Sequence, residues 1–409
     1  MKILFMSPHA FLPSTRKTSV HFVSEALAER GHSVTTISVG YSLLTRFKNP
    51  SLFRLLVAEQ KNRFVDKSSN QRSACYMPLL HPFSSKIPLF ASAMALFFRL
   101  YGSVLPRLIE NEAKAADIVV LESGTSICFF EAIRRLNKTA RIVYFRRDQL
   151  DSVGASPYLI DLEKRLGPMF DCVMVPSPSL AEQLPSGTTV KCIPQGIDKR
   201  GFDQCRTSPY PLGSRNAISV GNMLFDDAAV TAMARQNPRV TFHLFGSGIS
   251  GEFPSNVKVY GERAFDEIIP YIKFADLGIA PYRLTEKELY LAASSLKMQQ
   301  YSYCLLPILV PYLLTGTRDN LIAYRQNGEQ DWADIVERAL AAEKNPAWRA
   351  GILSWQEVAA QVEADFFVRA IGPEKTSGIR NQRALGAASY ATTACLPLLE
   401  ASVRGRIIG

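Results

Sequence analysis

The chain has seven cysteines in 409 residues and no Cys-x-x-Cys pair among them. Scattered and odd in number (Cys75, Cys128, Cys172, Cys192, Cys205, Cys304, Cys395), they fit neither a disulfide framework nor a zinc cradle, and read as reduced thiols of a cytoplasmic protein. Long apolar runs are missing as well. The opening MKILFMSPHAF breaks off at Ser7, Pro8 and His9, too early for a signal peptide, so secretion is not expected. The run from Ile87 to Phe98 stops at Arg99, short of the roughly 20 residues that cross a bilayer. There is no Asp-x-Asp to hold a metal, and neither a nucleic-acid-binding module nor a basic recognition helix.

What is present is enough apolar material for two cores. With 47% apolar and 10% aromatic residues in a chain of this length, two α/β domains are expected and disorder is not. Charge is placed unevenly. Residues 1 to 107 hold 14 Lys and Arg against 4 Asp and Glu, an excess that equals the +10 of the whole chain. A basic face confined to one domain points to an anionic partner there: nucleic acid, phosphate or a membrane surface.

KILFMS reads as a buried strand, SVHFVSEALAERGH as an amphipathic helix with Val20, Val23 and Leu27 on one face and Gly31 as its stop, and SVTTISV as a second strand. Such a unit belongs to a parallel sheet. DIVVLES, RIVYFR and DCVMVPS continue the series, and PSPSLAEQL reads as a capped helix start. KRGFDQCRTSPYPLGSR, at 199 to 215, breaks the periodicity and reads as a linker. Then the cycle restarts with AISVGN, VTFHLFGSG, VKVYGE and LGIAPY, while WADIVERALAAE and SWQEVAAQVEADFF read as helices closing the second domain. The expected fold class is α/β: two Rossmann-like domains facing a cleft, over 1–203 and 204–350, with closing helices and a tail over 351–409.

Several segments are more specific than this pattern. FHLFGSG, VKVYGE, YIKFADLGIAPY and YLAASSLKMQQY follow one another at the spacing of the donor domain in glycosyltransferase family 70, the glucuronosyltransferases of the xanthan pathway. SPHAF, VHFVSEALAERG, YSLLTR, HPF, VLESG, IVYFRRD and VGNMLFD resemble that family's segments in the same order. The resemblance spans about residues 4 to 310 and does not reach the last 35 or so. It implies an inverting, metal-independent B-type fold with no cofactor beyond its substrate. Such an enzyme moves glucuronate from UDP-glucuronate to a mannose-ended, polyprenyl-diphosphate-linked oligosaccharide on the cytoplasmic side of the inner membrane.

The resemblance puts the general base at Asp148, in YFRRDQLDSVG. An inverting transfer needs one carboxylate to take the proton of the attacking hydroxyl while the diphosphate leaves from the opposite face. Arg146 and Arg147 would keep it ionised, and Asp151 competes for the role. On the donor side, Ser294 and Ser295 would cap a helix whose start holds the diphosphate, with Lys297 as its cation and Gln300 one turn on. Spacing alone allows an ordinary cap and a solvated lysine equally well. Tyr282 stands at a strand's carboxyl end, where such sheets bind ligands, or packs in the core. Gly221 permits close backbone approach and Met223 could lie against uracil or in the core; Glu262 could approach the nucleotide or cap the following helix. His9 and His21 match family positions and could orient the acceptor or a phosphate, with a structural role equally open for His21. Leu305 replaces the glycine of the family's Gly-Leu-Pro turn.

Residues 41 to 64 interleave Leu43, Leu44, Phe47, Phe53, Leu55 and Leu56 with Arg46, Lys48, Arg54, Lys61 and Arg63. With IPLFASAMALFFRLYG they suit docking on an anionic leaflet without crossing it, or an internal helix pair. The expected partners are therefore UDP-glucuronate, a lipid-linked oligosaccharide and an anionic membrane surface, and not nucleic acid. The same fold acting on another UDP-sugar, or a non-catalytic nucleotide-sugar-binding partner of polysaccharide assembly, is the alternative.

Overall fold

The computed structural model describes residues 1–366 except 13–16, 85–87 and 317, so the expected tail from 367 onward lies outside the described residues. The N-terminal strands are β1 (Lys2–Ser7), β2 (Ser33–Ser38), β3 (Val65–Ser68), β4 (Gln71–Cys75), β5 (Ile118–Glu122), β6 (Arg141–Phe145), β7 (Cys172–Val175) and β8 (Val190–Cys192). They form one sheet in the order β3-β4-β2-β1-β5-β6-β7-β8, parallel except for β3. Side chains alternate between its faces. Leu4, Met6, Val119, Leu121 and Tyr144 enter one core; Ile3, Phe5, Ile118, Val120 and Phe145 enter another. Burial on both faces is why these strands read as nearly unbroken apolar runs.

After β9 (Gly196–Ile197) come β10 (Arg215–Val220), β11 (Val240–Phe245), β12 (Val257–Gly261), β13 (Leu277–Ile279), β14 (Ile308–Pro311), β15 (Leu321–Tyr324) and the short β16 (Leu353–Ser354). The second sheet is fully parallel, in the order β12-β11-β10-β13-β14-β15. Both sheets are doubly wound. Their order reverses between β1 and β5 in the first and between β10 and β13 in the second, and a crevice opens there at the strands' carboxyl ends.

Three sequence expectations change. The helix Trp355–Phe366 does not close the second domain: Trp355, Val358, Ala359 and Val362 pack with Val20, Val23 and Leu27 against the first sheet. Its apolar stripe fits that surface, Trp355 stacks on Phe22 at 5.1 Å, and β16 pairs with β9 just ahead of it. The expected linker contains a helix, Lys199–Gln204, whose start is capped by Asp198. PSPSLAEQL yields only the short helix Pro178–Ala181, and the Ser177 side chain does not cap it.

The helix Ser19–Glu29 carries His21 in its first turn. The Thr18 amide donates to His21 Nδ1 at 2.8 Å, so Nε2 bears the ring proton, and Phe11 packs edge-on against the ring at 4.4 Å. Burial, with smaller contributions from His9 and Lys17, lowers its pKa to about 3. The unfolded chain therefore binds a proton here that the fold refuses, and stability must fall as pH drops below about 6.5. His21→Gln keeps an acceptor for Thr18 and cannot titrate. We expect its urea-unfolding free energy to decline less steeply than that of the wild type, by about 1.4 kcal/mol per pH unit between pH 6.5 and 4. Parallel slopes would refute the buried-neutral assignment.

Candidate active site

The second sheet's crevice is built by the helix Leu296–Tyr303. Tyr301 lies fully buried against Gly278, where any Cβ would come within 2.5 Å of the ring, and its hydroxyl accepts the Val220 amide at 2.9 Å. One turn earlier on that face, Lys297 reaches the end of β10. A Cβ on Gly221, which has φ +85°, would stand 4.0 Å from Lys297 Nζ. The ammonium also lies over the Tyr282 ring, 4.6 Å from its centre. Gly221, Tyr282 and Lys297, chosen from separate stretches of sequence, thus meet at the reversal point of the sheet. Gln300 is buried one helical turn from Lys297.

The two serines do not cap this helix. The Ser294 hydroxyl donates back to the Tyr290 carbonyl at 2.9 Å, ending the preceding short helix Leu291–Ser294. Ser295 occupies the cap position, but its hydroxyl pairs with that of Tyr282 at 2.8 Å. The first-turn amides, which have no acceptor within a helix, are left without a side-chain cap. Uncapped amides and the helix dipole make this end electropositive.

A backbone lock holds the crevice from the side. Asp226 N donates to Pro281 O at 2.8 Å and Arg283 N to Leu224 O at 2.7 Å, so the loop after β10 pairs with the loop after β13. Leu224 takes φ +53° to make the turn. Met223, one residue before, is exposed rather than core. Glu262 is exposed at the end of β12, and the helix after it is entered at Ala264, not capped by Glu262. Leu305 sits at φ +58°, the left-handed region that favours the glycine expected in that turn.

Across from these groups stands the end of β6. Asp148 is half-buried; burial raises the pKa of Tyr290, a phenol of the second domain, and the charge of Asp148 adds to the rise. Arg146 and Arg147 do not act alike. Arg146 is buried against Glu163 at 3.1 Å and donates to the Leu180 carbonyl at 2.8 Å, which commits it to the core instead of to Asp148. Arg147 is buried too; burial lowers its pKa to about 10, opposed by the charges of Glu122 and Asp148. Asp151 is exposed and accepts the amide of Ser152 at 3.0 Å, the contact of a turn. His9 is half-exposed near Glu122, whereas His21 is buried and committed to Thr18.

Arg46, Lys48 and Arg54 are all exposed on or beside the helices Thr45–Lys48 and Pro50–Glu59. Between them Phe47 is 82% exposed, with Leu43, Leu55 and Val57 also at the surface. Leu56 is buried and Phe53 half-buried, so the segment is part exposed surface and part internal packing. Among the described residues, no helix is long and apolar enough to cross a membrane. Sequence reasoning missed Glu122 and Tyr301. A carboxylate ending an all-apolar strand was the available signal for the first; none marked the second.

A model of the "Glucuronosyltransferase GumK, N-terminal domain" family matches residues 5–176. Solved structures with the same architecture include HepE from Anabaena in complex with UDP and glucose (TM-score 0.59, 14% identity, 89% of this chain and 99% of that one). Another is the alpha,alpha-trehalose 6-phosphate synthase of Burkholderia multivorans (TM-score 0.57, 13% identity, 93% and 99%). At such identities they establish the two-domain B-type glycosyltransferase fold. A curated relative is far nearer in sequence: the UDP-glucuronate:glycolipid 2-beta-glucuronosyltransferase of Xanthomonas campestris pv. campestris is 32% identical over 344 residues, 83% of this chain and 84% of that one. On that identity and coverage, the chain belongs to the GumK family of glucuronosyltransferases.

Proposed function

We propose that this glycosyltransferase moves glucuronate from UDP-glucuronate to a lipid-linked oligosaccharide, with inversion, in exopolysaccharide assembly. The observation that carries the reading is the meeting of Lys297, Gly221, Tyr282 and an uncapped helix start at the reversal point of the second sheet. That arrangement suits a diphosphate: a fixed cation, a helix start without a side-chain cap and a glycine admitting close approach. Met223, exposed beside Gly221, would lie against the base, and Gln300 and Glu262 would border the nucleotide. Asp148, facing this crevice from the first domain, would remove the acceptor proton as the diphosphate leaves. The charge of the neighbouring Arg147 interacts favourably with that of Asp148.

Two substitutions separate these roles. Asp148→Asn should lower turnover by ~10²–10⁴-fold while UDP affinity survives, because the base lies on the acceptor side. Near-normal turnover in Asp148→Asn beside an inactive Asp151→Ala would transfer the role to Asp151.

Lys297→Ala should weaken UDP-glucuronate binding by about 1.5–3 kcal/mol, the range for a charge-assisted hydrogen bond, and cost stability only the ~0.5–1 kcal/mol of its contact with Tyr282. Titration calorimetry with UDP and UDP-glucuronate assigns the contact. Equal losses indicate the diphosphate, and a loss confined to UDP-glucuronate indicates the uronate. Wild-type affinity for both would exclude Lys297 from the donor site. Running UDP-glucose and UDP-N-acetylglucosamine alongside tests the choice of donor.

We further infer that the basic and apolar surface around Phe47 rests on an anionic leaflet, presenting the lipid-linked acceptor to the cleft. The support is the alternation of exposed Phe47, Leu43 and Leu55 with Arg46, Lys48 and Arg54. Each basic residue near such a surface contributes about 1 kcal/mol. Neutralising Arg46, Lys48 and Arg54 together should abolish co-sedimentation with anionic vesicles while circular dichroism stays unchanged. Undiminished co-sedimentation would remove this face from consideration.

A further inference from the structure

The first sheet has its own reversal point, between β1 and β5, and donor binding does not account for the groups gathered there. Glu122, the last residue of β5, has a side chain only 4% exposed. The Ser7 hydroxyl at the end of β1 donates to Glu122 Oε2, and Ser7 Oγ in turn accepts the His9 amide at 3.0 Å. That second bond fixes the backbone of His9, whose half-exposed ring points Nε2 toward Glu122 Oε1 at 3.9 Å. A carboxylate this deeply buried requires compensation, and a single serine hydroxyl is a modest share of it. The buried Arg147 guanidinium supplies more, with the phenols of Tyr41 and Tyr144 nearby. The other titratable group facing His9 is the buried, neutral His21. A buried carboxylate behind an exposed imidazole orients a ring and selects its tautomer.

We propose that Glu122 is the positioning residue of His9. By taking the Nε2–H side of the ring it leaves Nδ1, on the far side, as a hydrogen-bond acceptor for a hydroxyl of the acceptor sugar. The movement required is small: about 1 Å brings the 3.9 Å pair into hydrogen-bond range. No proton is transferred, so the assignment stands beside that of Asp148 as base and does not compete with it. It rests on the reading of this cleft as the place where a saccharide acceptor docks.

The test titrates a mannose-ended oligosaccharide into the wild type, His9→Ala, Glu122→Gln and the double variant, with ¹⁵N NMR of His9 recorded in parallel. Loss of one neutral hydrogen bond predicts about tenfold weaker glycan binding in His9→Ala, with UDP affinity unchanged. Glu122→Gln should reproduce most of that loss and add little to His9→Ala, since the two act as a unit. The nitrogen shifts should report the Nε2–H tautomer in the wild type and a mixture in Glu122→Gln. Additive losses, unaltered glycan affinity in His9→Ala, or a wild-type ring protonated on Nδ1 would each overturn the proposal. So would a wild type that does not bind the glycan. If buried Glu122→Gln fails to fold, His9→Ala and the wild-type tautomer still decide, because His9 is half-exposed. Glycan binding is measured without donor, so an error in the choice of UDP-sugar appears only as absent UDP release and leaves this result readable.

Discussion

The fit of Tyr301 against Gly278 is the contact on which the donor side depends. The ring occupies the space a side chain on β13 would fill, and its hydroxyl takes the amide of Val220 on the neighbouring strand. One residue therefore bridges the two central strands of the second sheet and fixes the helix that carries it. With that helix anchored by Tyr301, four residues on, Lys297 reaches over Tyr282 to Gly221. Ser295 and Tyr282, hydroxyl to hydroxyl, tie the helix start to the strand end a second time. Binding groups held on rigid elements need not be ordered by the ligand, and the entropy cost of binding falls accordingly.

The acceptor side is organised by a different constraint, the burial of charge. Glu122 and Arg147 are both removed from water at the carboxyl ends of adjacent strands, and Asp148 stands at the edge of the same group. Neither buried ion is tolerable alone. Each favours the other's charged form at a distance, while Arg147 Nε donates to Ser19 Oγ at 2.8 Å. Arg146, next in sequence to Arg147, is drawn to the opposite side by Glu163 and the Tyr144 hydroxyl that also bonds it. Adjacent residues leaving a strand point to opposite faces, and this separates two arginines that look equivalent in sequence.

That separation marks the limit of what sequence can tell. The parallel strands were legible because both faces are buried, and their apolar runs announce it. The β3–β4 hairpin was not, since VDKSSNQRSAC is polar and only half-buried at its edge. The final helix was recognisable as a helix, but its amphipathic stripe does not say which sheet it will cover. At the site, the resemblance to a known family's segments pointed to Gly221, Lys297 and Asp148. What a hydroxyl bonds to is a matter of distances across the fold. Ser294, Ser295 and Tyr301 therefore had to be seen in place, as did Glu122 behind His9.

The proposed donor and acceptor groups belong to different sheets, so their alignment is a property of the contacts between the domains. Gln195, in the passage from one to the other, donates to the Ser294 carbonyl at 2.7 Å, directly ahead of the donor helix. Leu296, the first residue of that helix, packs against the core shared by the first sheet and the last helix. Phe22 completes the junction by meeting Trp355 face to face and Phe265 edge to face. The helix that presents Lys297 is thus anchored at its end to the second sheet and at its start to the first domain. In the proposed donor site a diphosphate would draw on the first turn of this helix, the same turn whose Leu296 packs against the first domain.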